Sequence, residues 1–440
     1  MTPPTVAASG VDAAETAPTV AARVRATLRN PLYVNVYALT LNTVLTSGLG
    51  IAYWVVAARL YSQRDLGAGA AVVSTMTFLS SLAQLSLNGA IARFVPAAGR
   101  HAGRMIRGAY GASCTAALLA GSAFLLVAPI VSPRTGPLAG GPVLAATFVL
   151  AVAAWSVFTL QDSVLTALRG AVWVPVENAA FGVAKIVLLV LLASTAPALG
   201  VYASWTIPVF LALVPVNVLV FRRLLPRSHG RQAAPDLPAR GVLLRFVSLD
   251  YVGYLFLQCG TNGLPVLVAA VLGARANAVF YIGWLLGSSA ELVAYHFGTS
   301  LTVESARDES RLATYARQVL VRGLLLFVPG AVLLCVGAPV LLGLFGGEYA
   351  AGSDTVLRLF ALAVVPKFVV TVFIAASRVR RRVGRIVLIQ AVTSTIVVAG
   401  GWLAMPVWSV SGVAAAYLSA QVVMAAALLP SLVRLLRGIG

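Results

Sequence analysis

The sequence has little charge, and the charge that it has is mostly of one sign. Only 10% of its 440 residues are Asp, Glu, Lys or Arg, while 60% are hydrophobic and the mean hydropathy is +0.92. An ordinary soluble domain has about 25% charged residues, so a soluble fold is excluded. Twelve membrane spans of about 20 residues need roughly 240 residues, which leaves room for short connections and for no sizeable domain outside the lipid.

Two kinds of site are excluded by missing patterns. Cys114, Cys259 and Cys335 lie inside apolar runs without CxxC spacing, so neither a disulfide framework nor a zinc site is indicated. Lys185 and Lys367, the only lysines, also lie inside apolar runs. The chain therefore has no Walker-type phosphate loop and does not hydrolyse ATP by that route. We expect no cofactor and no metal.

The net charge of +19 arises from 32 basic and 13 acidic residues. In a soluble protein this excess would suggest nucleic-acid binding, but here the basic residues lie between apolar runs rather than on one exposed face. We therefore interpret them as determinants of topology and expect no nucleic acid as a partner. All but two of them are arginine, which suggests a GC-rich bacterial genome and hence a bacterial cytoplasmic (inner) membrane.

Twelve apolar runs are long enough to cross a bilayer, and a basic stretch divides them into two sets of six. We predict a disordered cytoplasmic tail at 1–30, an N-lobe at 31–221, a basic cytoplasmic linker at 222–245 and a C-lobe at 246–440. The predicted spans are Val36–Ala58, Gly67–Ala90, Gly108–Val131, Val143–Leu165, Asn178–Ser194, Val201–Phe221, Phe246–Leu272, Ala278–Thr299, Gly323–Phe345, Val356–Ser377, Ile386–Ala404 and Gly412–Val433.

The basic residues are distributed unevenly between alternate connections. With the N-terminus placed inside, the cytoplasmic connections hold 25 arginines and the external ones hold five. Cytoplasmic loops carry the excess of Lys and Arg in membrane proteins, so we predict an even number of spans with both termini in the cytoplasm. The external arginines are Arg59, Arg64, Arg134, Arg275 and Arg358.

Two segments of the first helical hairpin carry a family resemblance. Ala58–Gly67 reads ARLYSQRDLG and Leu85–Pro96 reads LSLNGAIARFVP. They resemble two motifs of the polysaccharide-exporting flippases of the MOP (multidrug, oligosaccharidyl-lipid, polysaccharide) superfamily. The first segment is similar to the turn after the first span of these proteins, A-R-L-x-S/G-x-x-x-x-G. The second is similar to the end of their second span, L-x-L-N/G-x-x-x-x-R-F/Y-x-P. A weak repeat between the halves, which pairs Ala57–Val73 with Ala269–Gly283, agrees with this resemblance.

The resemblance implies an all-α polytopic membrane protein with about 12 transmembrane helices in two six-helix lobes that form a V around a central cavity. It implies a transporter rather than an enzyme. The expected substrate is a lipid-linked oligosaccharide of the polyprenyl-pyrophosphate type, which would move from the cytoplasmic leaflet to the outer one by alternating access, for surface polysaccharide export.

Charged side chains inside the predicted spans are candidate functional groups, because each costs about 2.5–3.5 kcal/mol or more in hydrocarbon. Lys367 lies about 16 Å from either end of its span, too deep to snorkel easily. It either binds substrate in the cavity or forms an ion pair with Glu291. Lys185 lies about two turns from the cytoplasmic end of its span and either reaches the interface or faces the lumen. We interpret Asp162 as an interfacial charge.

Arg59 and Arg93 end the first and second predicted spans. Each either anchors its helix at the membrane interface or binds the pyrophosphate of the substrate, because the planar guanidinium donates two hydrogen bonds to phosphate oxygens. The sequence does not decide between these two roles.

Polar uncharged side chains cluster on the helices that begin the two lobes. Asn42 and Thr46 on the first span, and Gln258 and Asn262 on the seventh, are i,i+4 pairs that share a helix face. We predict that they either contact sugars in the cavity or form hydrogen bonds between helices.

Two other functions compete with this one. A cation-coupled multidrug or small-molecule antiporter of the same superfamily would need carboxylates in its cavity, and Glu291 keeps that alternative open. A membrane glycosyltransferase or polymerase would need paired acids beside an external loop. The external loops offer only Asp65, Glu348 and Asp354, with no convincing pair.

We therefore predict a flippase in which basic groups, led by Lys367, neutralise the pyrophosphate while the lipid tail stays in the bilayer. The expected partners are the lipid-linked saccharide, membrane lipids, and polysaccharide polymerase or glycosyltransferase machinery. We expect the chain to act as a monomer.

Overall fold

The computed structural model describes residues 31–131, 141–229 and 251–437, and within these ranges the chain is almost entirely helical, without a strand. We number the candidate membrane spans 1 to 12 in chain order. They are Pro31–Leu60 (span 1), Gln63–Ala83 followed by Leu87–Phe94 (span 2), Ala102–Val131 (span 3), Pro142–Ala167 (span 4), Trp173–Thr195 (span 5), Pro197–Leu219 (span 6), Tyr251–Cys259 followed by Leu264–Leu272 (span 7), Ala274–Arg307 (span 8), Leu312–Gly343 (span 9), Asp354–Val379 (span 10) and Val383–Leu436 (spans 11 and 12).

The number of spans agrees with the sequence prediction. Ten described helices are long and apolar enough to cross a membrane, and the two halves of span 7, which meet at 41°, make an eleventh. The helix Val383–Leu436 has 54 residues, or about 80 Å at 1.5 Å per residue, far longer than a bilayer core of about 30 Å. Ser409 interrupts it with φ 50° and ψ −136°, so it forms two spans. The predicted all-helical membrane fold is confirmed.

Local sequence explains where several helices begin and break. The Ser62 side chain accepts a hydrogen bond from the Asp65 backbone N–H at 3.1 Å and caps span 2. The turn between spans 7 and 8 uses Gly273 at φ 86°, a conformation that glycine adopts without steric cost. Leu85 and Ser86 have φ values of 51° and 55° and break span 2, which the sequence predicts as one continuous helix. This break lies inside the segment that resembles the flippase motif.

The helix of span 6 extends into the start of the predicted linker. Span 6 continues through a π-helical turn, Val220–Leu224, into the short helix Leu225–His229, because a helix satisfies its own backbone groups beyond the apolar run as well as within it. Residues 222–229 are therefore helical. The rest of the linker and the predicted tail at 1–30 lie outside the described residues. We keep the names N-lobe for spans 1–6 and C-lobe for spans 7–12.

One set of contacts between the two lobes lies where the described chain carries few arginines. Arg59, at the end of span 1, donates from Nε to the Leu344 carbonyl at 2.9 Å and from Nη2 to the Gly343 carbonyl at 3.0 Å. Arg275, at the start of span 8, donates to the Gln63 side chain at 3.0 Å. Both arginines thus connect one lobe to the other. A guanidinium is also favourable beside the carbonyls at a helix C-terminus.

Spans 2 and 8 approach each other closely beside these arginines. Asn277 donates from Nδ2 to the Gly67 carbonyl at 3.0 Å. A Cβ atom at Gly67 would lie 1.8 Å from the Ala274 carbonyl oxygen, so only glycine fits here. The rings of Trp54 and Tyr281 lie 4.4 Å apart between their centroids. We call these contacts, together with those of Arg59 and Arg275, the inter-lobe seam.

Candidate functional site: a polar cavity in the C-lobe

A cavity of about 420 Å³ opens among spans 7, 8, 10, 11 and 12. All of its described lining residues belong to the C-lobe, whereas the resemblance implies a central cavity between the lobes. Its charged lining residues are Glu291, Lys367 and Arg378, and hydroxyl, amide and aromatic side chains supply most of its polar surface. This mixture of groups can bind a large polar ligand that carries hydroxyls and a negative charge.

Lys367, Glu291 and Tyr417 form a closed ring of hydrogen bonds on the cavity wall. The Lys367 ammonium donates to the Glu291 carboxylate and to the Tyr417 hydroxyl, the latter at 2.6 Å, and the Tyr417 hydroxyl donates to the second Glu291 oxygen. The Lys367 and Glu291 side chains are 17% and 16% exposed. Each charge therefore has an opposite charge and a hydroxyl beside it, which offsets much of the cost of removing it from water.

The pairing of Lys367 with Glu291 is one of the two alternatives that the sequence leaves open. Because the pair also lines the cavity, the two alternatives do not exclude each other. Tyr417 is a residue that the sequence reasoning missed. It and Gln421, which also lines the cavity, are four residues apart and share one face of span 12, a signal weakened by the many apolar neighbours of Tyr417.

Neutral polar groups cover the wall around this ring. Five threonine hydroxyls on it donate to carbonyls of their own helices, so their oxygens remain able to accept hydrogen bonds from a ligand. The neutral polar lining consists of Gln258, Thr261, Asn262, Ser288, Thr299, Thr302, Thr371, Gln390, Thr393, Ser394 and Gln421, with the aromatic residues Phe256, Trp284 and Tyr295 beside them.

Gln258 and Asn262 both line the cavity, as predicted for a shared face, but they do not lie on one continuous helix. Span 7 breaks between Cys259 and Leu264, where the Gly263 backbone N–H donates to the Gln258 carbonyl at 2.9 Å. The Gln258 side chain donates to the Ser81 hydroxyl of the N-lobe at 2.5 Å. This residue thus joins the cavity wall to span 2.

Arg378 brings a positive charge to the cavity at the arginine-rich end of span 10. The side chain is exposed and, unlike Lys367, it has no carboxylate within ion-pair distance among the described residues. Sequence reasoning counted it among the arginines of a cytoplasmic loop. One signal could have identified it: Lys367, Thr371, Ala375 and Arg378 follow one another at helical spacing on one face of span 10.

Lys185 lies outside this cavity, inside the N-lobe. It is only 6% exposed, so its side chain does not snorkel to the interface, and that alternative is wrong. Its ammonium lies 4.2, 4.9 and 5.1 Å from the ring centroids of Trp205, Tyr53 and Phe181. The faces of these rings attract a cation, which explains how the side chain stays inside the helix bundle.

The remaining predicted residues also lie outside the C-lobe cavity. Arg59 belongs to the inter-lobe seam, and the Arg93 guanidinium lies 5.4 Å from the centroid of the Phe94 ring. The Thr46 hydroxyl donates to the Asn42 carbonyl of its own helix at 2.7 Å, so its oxygen can still accept a hydrogen bond. The buried Asn42 side-chain oxygen has no hydrogen-bond partner among the described residues.

A second polar cluster lies between spans 4 and 5, where the sequence predicts only a boundary between two spans. Asn178 donates from Nδ2 to both Asp162 carboxylate oxygens at 3.2 Å, so Asp162 is a partly buried member of a cluster as well as a charge near a span end. Glu177 is 7% exposed, and neither of its carboxylate oxygens has a hydrogen-bond partner among the described residues. Sequence reasoning missed Glu177 because it lies in a stretch where charges interrupt the apolar pattern.

Solved structures with the same fold are transporters. The lipid II flippase MurJ in an inward closed conformation matches with a TM-score of 0.70 and 12% identity, over 90% of this chain and 89% of that chain. A multidrug-resistance MATE-family transporter of the MOP superfamily, in an inward-facing conformation, matches with a TM-score of 0.64 and 13% identity, over 92% of this chain and 98% of that chain.

A third solved structure is of interest for its binding pocket. It is a MOP-superfamily transporter from Pyrococcus furiosus, described as having a pocket of reverse polarity that suggests a different function, and it matches with a TM-score of 0.59 and 14% identity, over 93% of this chain and 98% of that chain. No protein-family profile matches the chain, and no curated protein matches it significantly. The chain therefore has the fold of MOP-superfamily transporters, as predicted.

Proposed function

We propose that this chain is a flippase that moves a lipid-linked oligosaccharide of the polyprenyl-pyrophosphate type across a bacterial cytoplasmic membrane by alternating access. The observation that carries the proposal is the C-lobe cavity, whose wall combines hydroxyls, amides and aromatic rings with the free charge of Arg378. Hydroxyl and amide groups match the hydrogen-bonding capacity of sugars, aromatic rings supply flat apolar surface, and a guanidinium binds phosphate oxygens through two hydrogen bonds.

The inter-lobe seam supports the proposal of alternating access. It joins the two lobes at their arginine-poor ends, while Arg378 lies at the arginine-rich end of the cavity. If the arginine-rich side is cytoplasmic, as the positive-inside rule predicts, this conformation is closed to the outside. Export then requires the seam to open. In this proposal Arg59 holds the two lobes together in the closed conformation and does not bind phosphate.

The ring of Lys367, Glu291 and Tyr417 gives the cavity a way to respond to its substrate. An anionic ligand that enters the cavity as far as Lys367 competes with Glu291 for the Lys367 ammonium, and the released carboxylate then loses its stabilising partner. Because the ring joins spans 8, 10 and 12, breaking it changes how these helices pack. Lys185, Arg93, Asn42 and Thr46 stay predicted substrate contacts for a conformation in which the N-lobe faces the ligand.

The same cavity favours one alternative. Glu291 is a carboxylate inside it, which is what a cation-coupled antiporter of a cationic drug requires, and a MATE-family transporter shares the fold. Its charge is already matched by Lys367, however, and Arg378 leaves the lining with a net positive charge. An anionic ligand is therefore favoured over a cationic one.

Reconstitution into liposomes tests the proposal. A fluorescent lipid-linked oligosaccharide is placed in the bilayer, and its movement between leaflets is followed by quenching with a membrane-impermeant reductant. We expect wild-type protein to transport it and Arg378→Gln to slow transport at least tenfold. Arg317→Gln is the matched control, since Arg317 is an exposed arginine on span 9 outside the cavity lining, and it should transport within twofold of wild type.

Two results would contradict the proposal. Well-folded wild-type protein that moves no lipid-linked saccharide, but expels a cationic dye against a proton or sodium gradient, would identify an antiporter. Equal loss of transport in Arg378→Gln and Arg317→Gln would remove the cavity from the mechanism. The proposed monomer and the proposed association with polysaccharide polymerase or glycosyltransferase machinery are tested separately, by light scattering in detergent and by co-purification.

A further inference from the structure

We propose that a second, smaller cavity at the arginine-rich end of the C-lobe binds the phosphate of an anionic phospholipid headgroup. This cavity is about 280 Å³ in volume, and four arginines and two serines line it together with three apolar side chains. The lining residues are Phe373, Ala376, Ser377, Arg380, Arg382, Arg385, Ser431, Arg434 and Leu435. None of them lines the larger cavity described above, so the site is distinct from the proposed transport site and does not depend on it.

The positive charge of this site is unopposed. No described lining residue is acidic, and none of the four arginines has a carboxylate within ion-pair distance in the described part of the chain. Arg434 donates from Nε to the Pro430 carbonyl at 3.4 Å, and the Arg385 guanidinium lies 5.9 Å from the Phe373 ring centroid. Four like charges that line one cavity repel each other, and a bound anion reduces that repulsion.

Backbone hydrogen bonds stabilise the turn that carries two of these arginines. Spans 10 and 11 are joined by a tight turn in which Arg381 has φ 55°. The Arg380 backbone N–H donates to the Ala376 carbonyl at 3.1 Å and the Arg382 N–H donates to the Ser377 carbonyl at 2.9 Å. Because the turn is hydrogen-bonded on both sides of Arg381, Arg380 and Arg382 are held beside the same cavity.

The chemistry of the lining selects phosphate among anions. Guanidinium groups form paired, charge-assisted hydrogen bonds with phosphate oxygens, and the Ser377 and Ser431 hydroxyls can donate further bonds. Span 11 begins at Val383, directly after the turn, and a helix N-terminus presents free backbone N–H groups and a positive dipole end. The volume falls just below the range of about 300–1,000 Å³ for pockets that hold drug-sized ligands, which suits a headgroup better than an oligosaccharide.

The position of the cavity favours a lipid over a soluble phosphate. It lies where spans 10, 11 and 12 leave the apolar region, the level at which lipid phosphates are found, and basic pockets between helices on the cytoplasmic side bind anionic headgroups. Leu388 is 62% exposed and lies three residues after Arg385, on the same face of span 11. An acyl chain attached to a phosphate at Arg385 can therefore lie along this apolar side chain.

Native mass spectrometry and thermal unfolding of the full-length protein in detergent test the assignment without any transport assay. The probes are phosphatidylglycerol, phosphatidylcholine and inorganic phosphate. We expect phosphatidylglycerol to bind with at least tenfold higher affinity than phosphatidylcholine and to raise the unfolding temperature. The variant Arg380→Gln/Arg382→Gln/Arg385→Gln/Arg434→Gln should lose at least tenfold in affinity. The double variant Arg382→Gln/Arg385→Gln, with an expected loss of at least threefold, replaces it if the quadruple variant does not fold.

A control variant with the same change in net charge distinguishes binding at this cavity from attraction to the positive surface in general. Arg104→Gln/Arg107→Gln/Arg222→Gln/Arg223→Gln removes four exposed arginines of the N-lobe and should leave the affinity for phosphatidylglycerol within twofold of wild type. An equal loss in this control would overturn the proposal. So would equal affinity for the two lipids. If inorganic phosphate alone stabilises the protein as much as phosphatidylglycerol does and displaces it, the ligand is free phosphate and the lipid assignment is wrong.

Discussion

The two lobes bury charge in opposite ways. In the C-lobe, the Lys367 ammonium, the Glu291 carboxylate and the Tyr417 hydroxyl satisfy one another in a closed ring. In the N-lobe, Lys185 is surrounded by three aromatic rings, and Glu177 has no hydrogen-bond partner for either carboxylate oxygen among the described residues. Both lobes therefore keep ionisable groups out of water, but of these described groups only Lys367 and Glu291 pair an acid with a base.

This difference predicts that removing a buried charge changes stability differently in the two lobes. Removing one member of a buried pair leaves the other charge without a partner, which is far more costly than the pair itself. Removing an unpaired buried charge leaves nothing behind and relieves a desolvation cost. The same substitution should therefore be damaging in the C-lobe and nearly neutral in the N-lobe.

The largest effect is expected at Lys367. Lys367→Met leaves the Glu291 carboxylate buried without its cation and should lower the free energy of unfolding by about 3–5 kcal/mol, measured by tryptophan fluorescence during denaturation in detergent. The double variant Lys367→Met/Glu291→Gln removes both charges and should recover at least half of the loss. Stability equal to wild type in Lys367→Met would show that the ring contributes nothing.

The seam between the lobes is the next most sensitive place. Gly67→Ala puts a Cβ atom against the Ala274 carbonyl oxygen and should cost about 1–3 kcal/mol through overpacking. Gly48→Ala, on span 1, is the matched control, since no atom lies within 4 Å of its added Cβ. We expect it to be neutral or to stabilise by up to about 1 kcal/mol through helix propensity. Equal melting temperatures for the two variants would contradict the close approach of spans 2 and 8.

At Glu177 we expect a substitution to stabilise the protein instead of destabilising it. Glu177→Gln replaces an unpartnered buried carboxylate with an amide, which costs less to bury, so the free energy of unfolding should rise by about 1 kcal/mol. Glu348→Gln changes an exposed glutamate and should stay within about 0.5 kcal/mol of wild type. Destabilisation of Glu177→Gln in the same unfolding assay would mean that the carboxylate has a stabilising partner.

The smallest effect on stability is expected for Lys185→Met, the N-lobe counterpart of Lys367→Met. Lys185→Met loses contacts with three rings, worth about 2 kcal/mol when desolvated, but it also removes a buried charge. The two contributions oppose each other, so we expect a net change within about 1 kcal/mol, measured as for Lys367→Met. A loss as large as that of Lys367→Met would erase the difference between the lobes.

Much of the fold could be predicted from the sequence, because the cost of exposing backbone groups to lipid forces each long apolar run to be a helix. The same reasoning singled out Lys367 and Glu291, since a charge deep in a span needs a partner. It did not identify Arg378 or Glu177, and it did not predict that Arg59 contacts carbonyls of the other lobe. Each lies near the end of an apolar run, where a charge is ordinarily explained by the interface, and of the three only Arg378 carries a further signal, its helical spacing from Lys367.

The sequence by itself determined that this protein is a helical membrane protein, roughly where its helices lie, and which charges are too deep to be ordinary. The tertiary structure alone decided that Tyr417 completes the ring of Lys367 and Glu291, that Arg59 bridges the lobes, and that four arginines share one cavity. The physical reason is that these helices are apolar nearly all round, so no polar stripe marks which face points inward. Their rotation and tilt are set by packing against neighbouring helices, and that packing places distant residues together.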